Sequence, residues 1–174
     1  NAFKKEGDEV RFKESVVYYD CKWSNYYPSD NYPFMYKCRS ANSSIIKYRY
    51  ADVLLLKAEA LIMQDTPDLD GAADIIDEVR ERAKLGALSA STRSNKNAML
   101  NALLKERRLE LAFEGQRWFD LVRLDKVEEV MNAVYTKDSG RKAQVYAFDK
   151  TSYRLPIPQS VIDANDKIHQ NPGY

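Results

Sequence analysis

Glu106, Glu110 and Glu114 stand four residues apart, the densest regular set of titratable side chains in this sequence. Paired carboxylates can share acid and nucleophile or base roles, as in glycoside hydrolysis, but the pair must then flank the bond to be broken. A four-residue spacing instead places all three on one side of one helix, where like charges repel unless cations answer them. Arg107, Arg108 and Arg117 are close in sequence. The row therefore reads as a structural ion-pair network, with Arg107 and Arg117 expected to bind it at a helix junction. No catalytic residue is assigned, and the protein is not expected to be an enzyme. His169 is the single histidine, which leaves neither a histidine cluster for zinc nor a Ser-His-Asp arrangement. Cys21 and Cys38 match no metal spacing and no C-x-x-C. A disulfide between them is one alternative, and two free thiols are the favoured one. No phosphate loop or dinucleotide fingerprint occurs, so neither a metal nor a cofactor is expected.

Binding chemistry is better represented. The sequence holds twelve Tyr and two Trp, whose flat apolar faces and polar edges suit sugar rings and interfaces. Trp23, Tyr26, Tyr27 and Tyr32, with Asn25 and Asn31 beside them, form the best cluster for stacking a sugar and reading its hydroxyls. Trp23, Asn25, Tyr26, Tyr27 and Tyr32 are the candidate ligand-binding residues. The alternative is that these aromatics pack their loop onto the helices or onto another part of a longer protein. Lys+Arg is 27 against 26 Asp+Glu, a formal charge of +1. That balance gives no reason to expect nucleic acid or an anionic membrane surface as partner.

The elements that position these residues are mostly helical. Residues 1–47 read as irregular and aromatic-rich, with Val10, Phe12, Val16, Val17 and Tyr18 suggesting a strand or two. The apolar spacing of Val53, Leu54, Ala58, Leu61 and Ile62 predicts a helix over 50–64. A second is predicted over 70–85, capped by Asp68 or Asp70 and stopped near Gly86. Small alanines at the crossing make the two look like one tetratricopeptide-type pair, which needs neighbours to bury its face. Residues 87–95 read as a polar loop, 97–114 as a long helix ended by a left-handed Gly115, and 117–124 as its partner. Trp118 and Phe119 are expected in the core. A short helix near 126–131 follows. Residues 144–148 and 153–155 are expected to pair as a hairpin, and Ser160 to Ala164 to form one helical turn.

Three stretches carry a resemblance. Arg49-Tyr50-Ala51-Asp52-Val53-Leu54-Leu55, continuing to Ala58-Glu59-Ala60, is similar to a helix signature of the SusD/RagB family. Glu106-Arg107-Arg108-Leu109-Glu110-Leu111-Ala112-Phe113-Glu114-Gly115, followed by Arg117-Trp118-Phe119-Asp120-Leu121, resembles a second. Leu155-Pro156-Ile157-Pro158 with Gln170-Asn171-Pro172-Gly173-Tyr174 resembles the closing segment. Asp8-Glu9-Val10-Arg11-Phe12 is weakly similar to a fourth, with Val10 in place of the family's proline. The resemblance implies a mostly α fold of tetratricopeptide-like pairs with irregular loops and a small hairpin, the C-terminal part of a SusD-like α-α superhelix. Residues 1–174 would form one region of it, helical over 48–131 and closing with loop, hairpin and tail over 132–174. Tyr174 is expected to be the natural C-terminus and the start to lie inside a longer parent. The resemblance further implies a surface-exposed outer-membrane lipoprotein, its anchor elsewhere in the parent. The implied partners are an oligosaccharide or polysaccharide and a SusC-like TonB-dependent transporter. A peptide-binding relative, or a helical scaffold that docks protein partners, are the alternatives.

Overall fold

The computed structural model describes residues 2–25, 30–37, 40, 44–137 and 148–174. The chain divides into two compact units, Asn1–Arg117 and Trp118–Tyr174.

The first unit opens with α1 (Ala2–Glu6) and α2 (Glu9–Ser15). Asp8 caps α2 by accepting the Arg11 amide at 3.1 Å, the role short acidic side chains fill at a helix start. Val10 and Phe12 therefore sit on a helix and not on the strand their β-propensity suggests. Val16, Val17 and Tyr18 do form a strand. β1 (Val16–Tyr19) pairs antiparallel with β2 (Tyr32–Met35), Val16 opposite Met35 and Tyr19 opposite Tyr32. Pro33 is tolerated because a two-stranded sheet has only edges. The segment read as irregular thus holds two helices and a two-stranded sheet.

The core is helical. α3 (Tyr50–Met63) and α4 (Leu69–Arg82) pack on one another across the turn 64–68, and α6 (Lys96–Glu110) lies against both. Leu55, Ala58 and Ile62 of α3 meet Ala72, Ala73, Ile76 and Val79 of α4 and Met99 and Leu103 of α6. The alanines let the backbones approach closely, and each buried Ile or Leu contributes about 1.5–3 kcal/mol. α6 supplies the neighbour that an isolated helix pair lacks. Val53 is half exposed because the buried face of α3 runs one position off the one its apolar residues suggest, through Ala51, Asp52, Leu55 and Ala58. Asp68 is the α4 cap, accepting from the Gly71 amide at 2.9 Å. The stop is Lys84, not Gly86: Lys84 is left-handed (φ 61°). The Leu85 amide bonds back to the Arg80 carbonyl and the Lys84 amide to that of Glu81, the paired bonds of a Schellman motif. The loop expected over 87–95 contains a helical turn, α5 (Ala90–Arg93), capped by Ser89.

α6 ends at Glu110, four residues before the expected stop. Residues 111–115 turn, with Phe113 (φ 67°) and Gly115 (φ 80°) both left-handed. Gly115 adopts the predicted conformation, but outside the helix. Phe113 is half exposed.

The second unit holds most of α7 (Arg117–Arg123), then α8 (Val127–Lys137), a 3-10 turn over Lys150–Tyr153 and α9 (Gln159–Asp163). Trp118 packs edge-on against Phe148 at 5.8 Å and Tyr153 at 6.2 Å. Phe119, expected in the core, is 64% exposed, because the buried positions of α7 are Asp120 and Leu121. α8 runs well past residue 131. Residues 144–147 lie outside the described residues. Tyr153 closes a 3-10 turn and Leu155 is not in a strand, so the hairpin partner expected there does not form. Among the described residues no helix is long and apolar enough to cross a membrane.

Candidate functional site

The glutamate row is the centre of an ion-pair joint whose cations come from distant segments. Glu106 accepts from Arg11 at 2.6 Å and from Arg80 at 3.3 Å. Glu110 accepts from Arg49 at 2.5 Å, from Arg11 at 3.1 Å and, by a very short contact, from Arg82. Glu114 lies beyond the helix, yet Arg49 grips its two oxygens at 2.8 and 3.0 Å and Lys37 reaches it at 2.5 Å. Lys37 and Arg49 also bind the Glu110 carbonyl, one of the acceptors a helix end leaves open. Arg11 is held in turn by Asp8 at 2.5 Å.

The neighbours in sequence take other places. The Arg107 guanidinium lies 2.9 Å from the Asp52 carboxylate, both buried. Asp52 Oδ1 has no aligned donor there, so the pair is charge against charge. The Arg117 guanidinium donates to the Leu104 carbonyl at 3.0 Å. The two helix signatures are therefore reciprocal: Arg49 of the first answers Glu110 and Glu114 of the second, and Arg107 of the second answers Asp52 of the first. Asp8 and Arg11 extend the lattice to α2.

The carboxylates differ electrostatically. Burial is the largest influence on Glu106 and raises its pKa, with Arg11 and Arg80 only partly offsetting it. Burial also pushes Glu110 upward most strongly. There the hydrogen bonds and charges of Arg82 and Arg49 together outweigh it and hold the pKa at about 2. Glu114 is lowered too, burial being outweighed by Arg49 and Lys37. Each of the three carboxylates is occupied by arginine or lysine partners, so the geometry is that of a joint.

The candidate ligand residues sit apart from it. Trp23 is 81% exposed and Asn25 is exposed. Tyr32 is partly buried, its ring edge-on to Phe34 at 5.2 Å. Tyr26 and Tyr27 lie outside the described residues, as does Cys38. Between the flanking residues, Cys21 is buried and free. Among the described residues no group of side chains could hold a metal ion, and His169 is exposed.

In the second unit the closing motif holds itself together. The Ile157 amide donates to the Gln170 side chain at 2.8 Å, which donates back to the Ile157 carbonyl at 2.9 Å. Asn171 donates to the Leu155 carbonyl at 2.7 Å. Gly173 (φ 98°) passes so close to Thr151 that a Cβ would sit 2.7 Å from its side chain, so the chain needs glycine there.

The sequence profile described as the SusD family matches residues 27–174. The chain belongs to the SusD family. It is 33% identical over 142 residues to SusD-like protein P2 of Formosa agariphila, across 78% of this chain and 27% of that protein. To SusD-like protein P38 of the same organism it is 40% identical over 99 residues, across 53% and 19%. The chain thus spans about a quarter or less of these curated relatives. Among solved structures, a SusD superfamily protein from Bacteroides vulgatus shares its fold with a TM-score of 0.69 at 24% identity, over 95% of this chain and 40% of that one. One from Bacteroides thetaiotaomicron matches at 26% identity and a TM-score of 0.57, over 82% and 30%. Arg49, Asp52, Glu106, Arg107, Glu110 and Glu114 all fall within the matched span. Their family-like pattern therefore has a structural cause in the joint.

Proposed function

We propose that this chain is part of a surface-exposed, lipid-anchored outer-membrane protein that captures oligosaccharides and passes them to a SusC-like TonB-dependent transporter. The observation that carries this reading is membership in the SusD family across residues 27–174. Trp23 supports it: a large ring four-fifths exposed at a turn, with an exposed amide at Asn25, is suited to stacking on a sugar face. Tyr26, Tyr27 and Tyr32 are the further candidates beside it. The protein binds without turning its ligand over, because its grouped carboxylates are spent on arginines.

Affinity electrophoresis through gels cast with soluble polysaccharides tests this. The protein is expected to be retarded by at least one glycan, and Trp23→Ala to weaken the retardation with stability changed by less than about 0.5 kcal/mol. Absence of retardation by every glycan, with co-purification of a transporter, would favour a scaffold instead. Release of sugar from the gel matrix would overturn the non-enzymatic assignment.

A further inference from the structure

A groove of about 500 Å³ runs between α1, the face of the β1–β2 sheet and the C-terminal end of α6. Phe3 and Leu109 are its buried residues. Tyr18 (40%), Met35 (51%) and Phe113 (49%) line it while remaining open to solvent. Phe113 is held there by a left-handed backbone (φ 67°), a conformation that a bulky residue adopts only where the surroundings impose it. One cation lines the groove, Arg108. On the same helix Lys105 pairs with Glu6 at 2.6 Å and Arg107 with Asp52 at 2.9 Å. Arg108 is exposed and has neither ion pair nor hydrogen bond among the described residues.

We propose that this groove docks a polypeptide segment from a partner, one that presents a large apolar side chain close to a carboxylate. The apolar side chain lies against Tyr18, Met35 and Phe113, and the carboxylate meets Arg108. Charge complementarity selects the acid, because the planar guanidinium fork matches a carboxylate with two parallel bonds. The form of the groove selects a polypeptide. Sites for small ligands enclose 70–90% or more of their occupant, whereas three of the large side chains here face solvent along an open trough. Such troughs accept apolar anchors spaced along a chain. The inference does not rest on glycan binding, since it uses neither Trp23 nor Asn25.

Fluorescence anisotropy with labelled octapeptides tests it. The probe is Gly-Ser-Leu-Phe-Asp-Glu-Ser-Gly, compared with versions carrying Asn-Gln or Lys-Lys in place of Asp-Glu. The acidic peptide is expected to bind up to about fivefold more tightly than the amide version, the worth of one exposed ion pair, and the difference to shrink with added salt. Arg108→Gln should erase the preference, Arg108→Glu should transfer it to the Lys-Lys peptide, and Phe113→Ala should weaken all three peptides alike. Arg108 is exposed, so these variants are expected to keep the parent's circular dichroism. Equal binding of the acidic and amide peptides, or a preference that survives Arg108→Gln, would overturn the proposal. So would binding of dodecanoate with no binding of any peptide, which would make the groove a small-amphiphile site.

Discussion

Glu106 and Glu110 are one helical turn apart and almost equally buried, 1% and 3% exposed, yet replacing each with glutamine is expected to carry different costs with different pH dependence. Glutamine resembles a protonated glutamate, so the cost follows the direction of the pKa shift. Glu110 is held at about 2 against an ordinary 4.5, a shift worth about 3 kcal/mol at 1.36 kcal/mol per unit. A folded-state pKa below the unfolded one gives stability that is present above pH 4.5 and lost as pH falls toward 2. Glu110→Gln should therefore cost about 3 kcal/mol at pH 7, or about 6–12 °C in melting temperature for a chain of this size. The deficit should shrink steadily between pH 5 and pH 3. Glu106 has a raised pKa, because burial outweighs Arg11 and Arg80. Folding shifts Glu106 toward its neutral form relative to the unfolded chain, so Glu106→Gln should cost less than Glu110→Gln at pH 7, and acidification through its raised pKa should not narrow its deficit. Urea unfolding followed by far-ultraviolet circular dichroism at pH 7, 5, 4 and 3 measures both. The reasoning fails if Glu106→Gln is the costlier change at pH 7, or if the Glu110→Gln deficit is the same at pH 3 as at pH 7.

Asp52→Asn removes the carboxylate that faces the buried Arg107 guanidinium at 2.9 Å while leaving its bond to the residue-52 carbonyl, and should cost about 1–3 kcal/mol; a smaller loss in the Arg107→Met background than in the parent would identify the pair as its source, and equal losses would exclude it. Lys84→Gly removes a side chain from a left-handed position that L-residues occupy at a cost of about 1–2 kcal/mol. After the extra freedom glycine gives the unfolded chain, a net gain of about 0.5 kcal/mol is expected in the urea midpoint, and a destabilised variant would show that Lys84 makes a compensating contact.

The helices were legible because their signal is local. The 3.6-residue spacing of Ala72, Ile76 and Val79, the cap at Asp68 and the start of α7 at Arg117 all follow from nearest neighbours in the chain. What was not legible depends on distant partners. Val10 and Phe12 have strand propensity, but Asp8 caps a helix over them and Arg11 on that helix is needed at Glu106. Phe119 looks like core by type, and only the direction of α7 turns it to solvent. The glutamate row was recognisable as an ion-pair network, while its cations were sought among adjacent arginines. Arg11, Arg49, Arg80 and Arg82 gave one usable sign: Arg49 and Asp52 are charges set within an otherwise apolar, aromatic stretch, and such charges, when buried, must be paired. For the candidate ligand residues the sequence leaves open whether the aromatics face solvent or pack their loop onto the helices, because both uses call for the same residue types; Trp23 and Asn25 are exposed.

The joint also bears on the order in which the chain comes together. Its contacts span 95 residues from Arg11 to Glu106, 61 from Arg49 to Glu110 and 28 from Arg82 to Glu110. Closing the loops to Arg11 and Arg49 costs entropy before the charges repay it, whereas α3, α4 and α6 can collapse on one another through nearer apolar contacts. The Arg11 and Arg49 contacts are therefore expected to close on a scaffold that has already formed, after the rate-limiting barrier. Interactions made after the barrier slow escape from the native state without hastening arrival. Glu110→Gln should thus raise the unfolding arm of a chevron, its slope unchanged, and leave the refolding arm nearly in place. The lattice of charge is a latch on the finished structure, setting how long the protein stays folded more than how fast it folds.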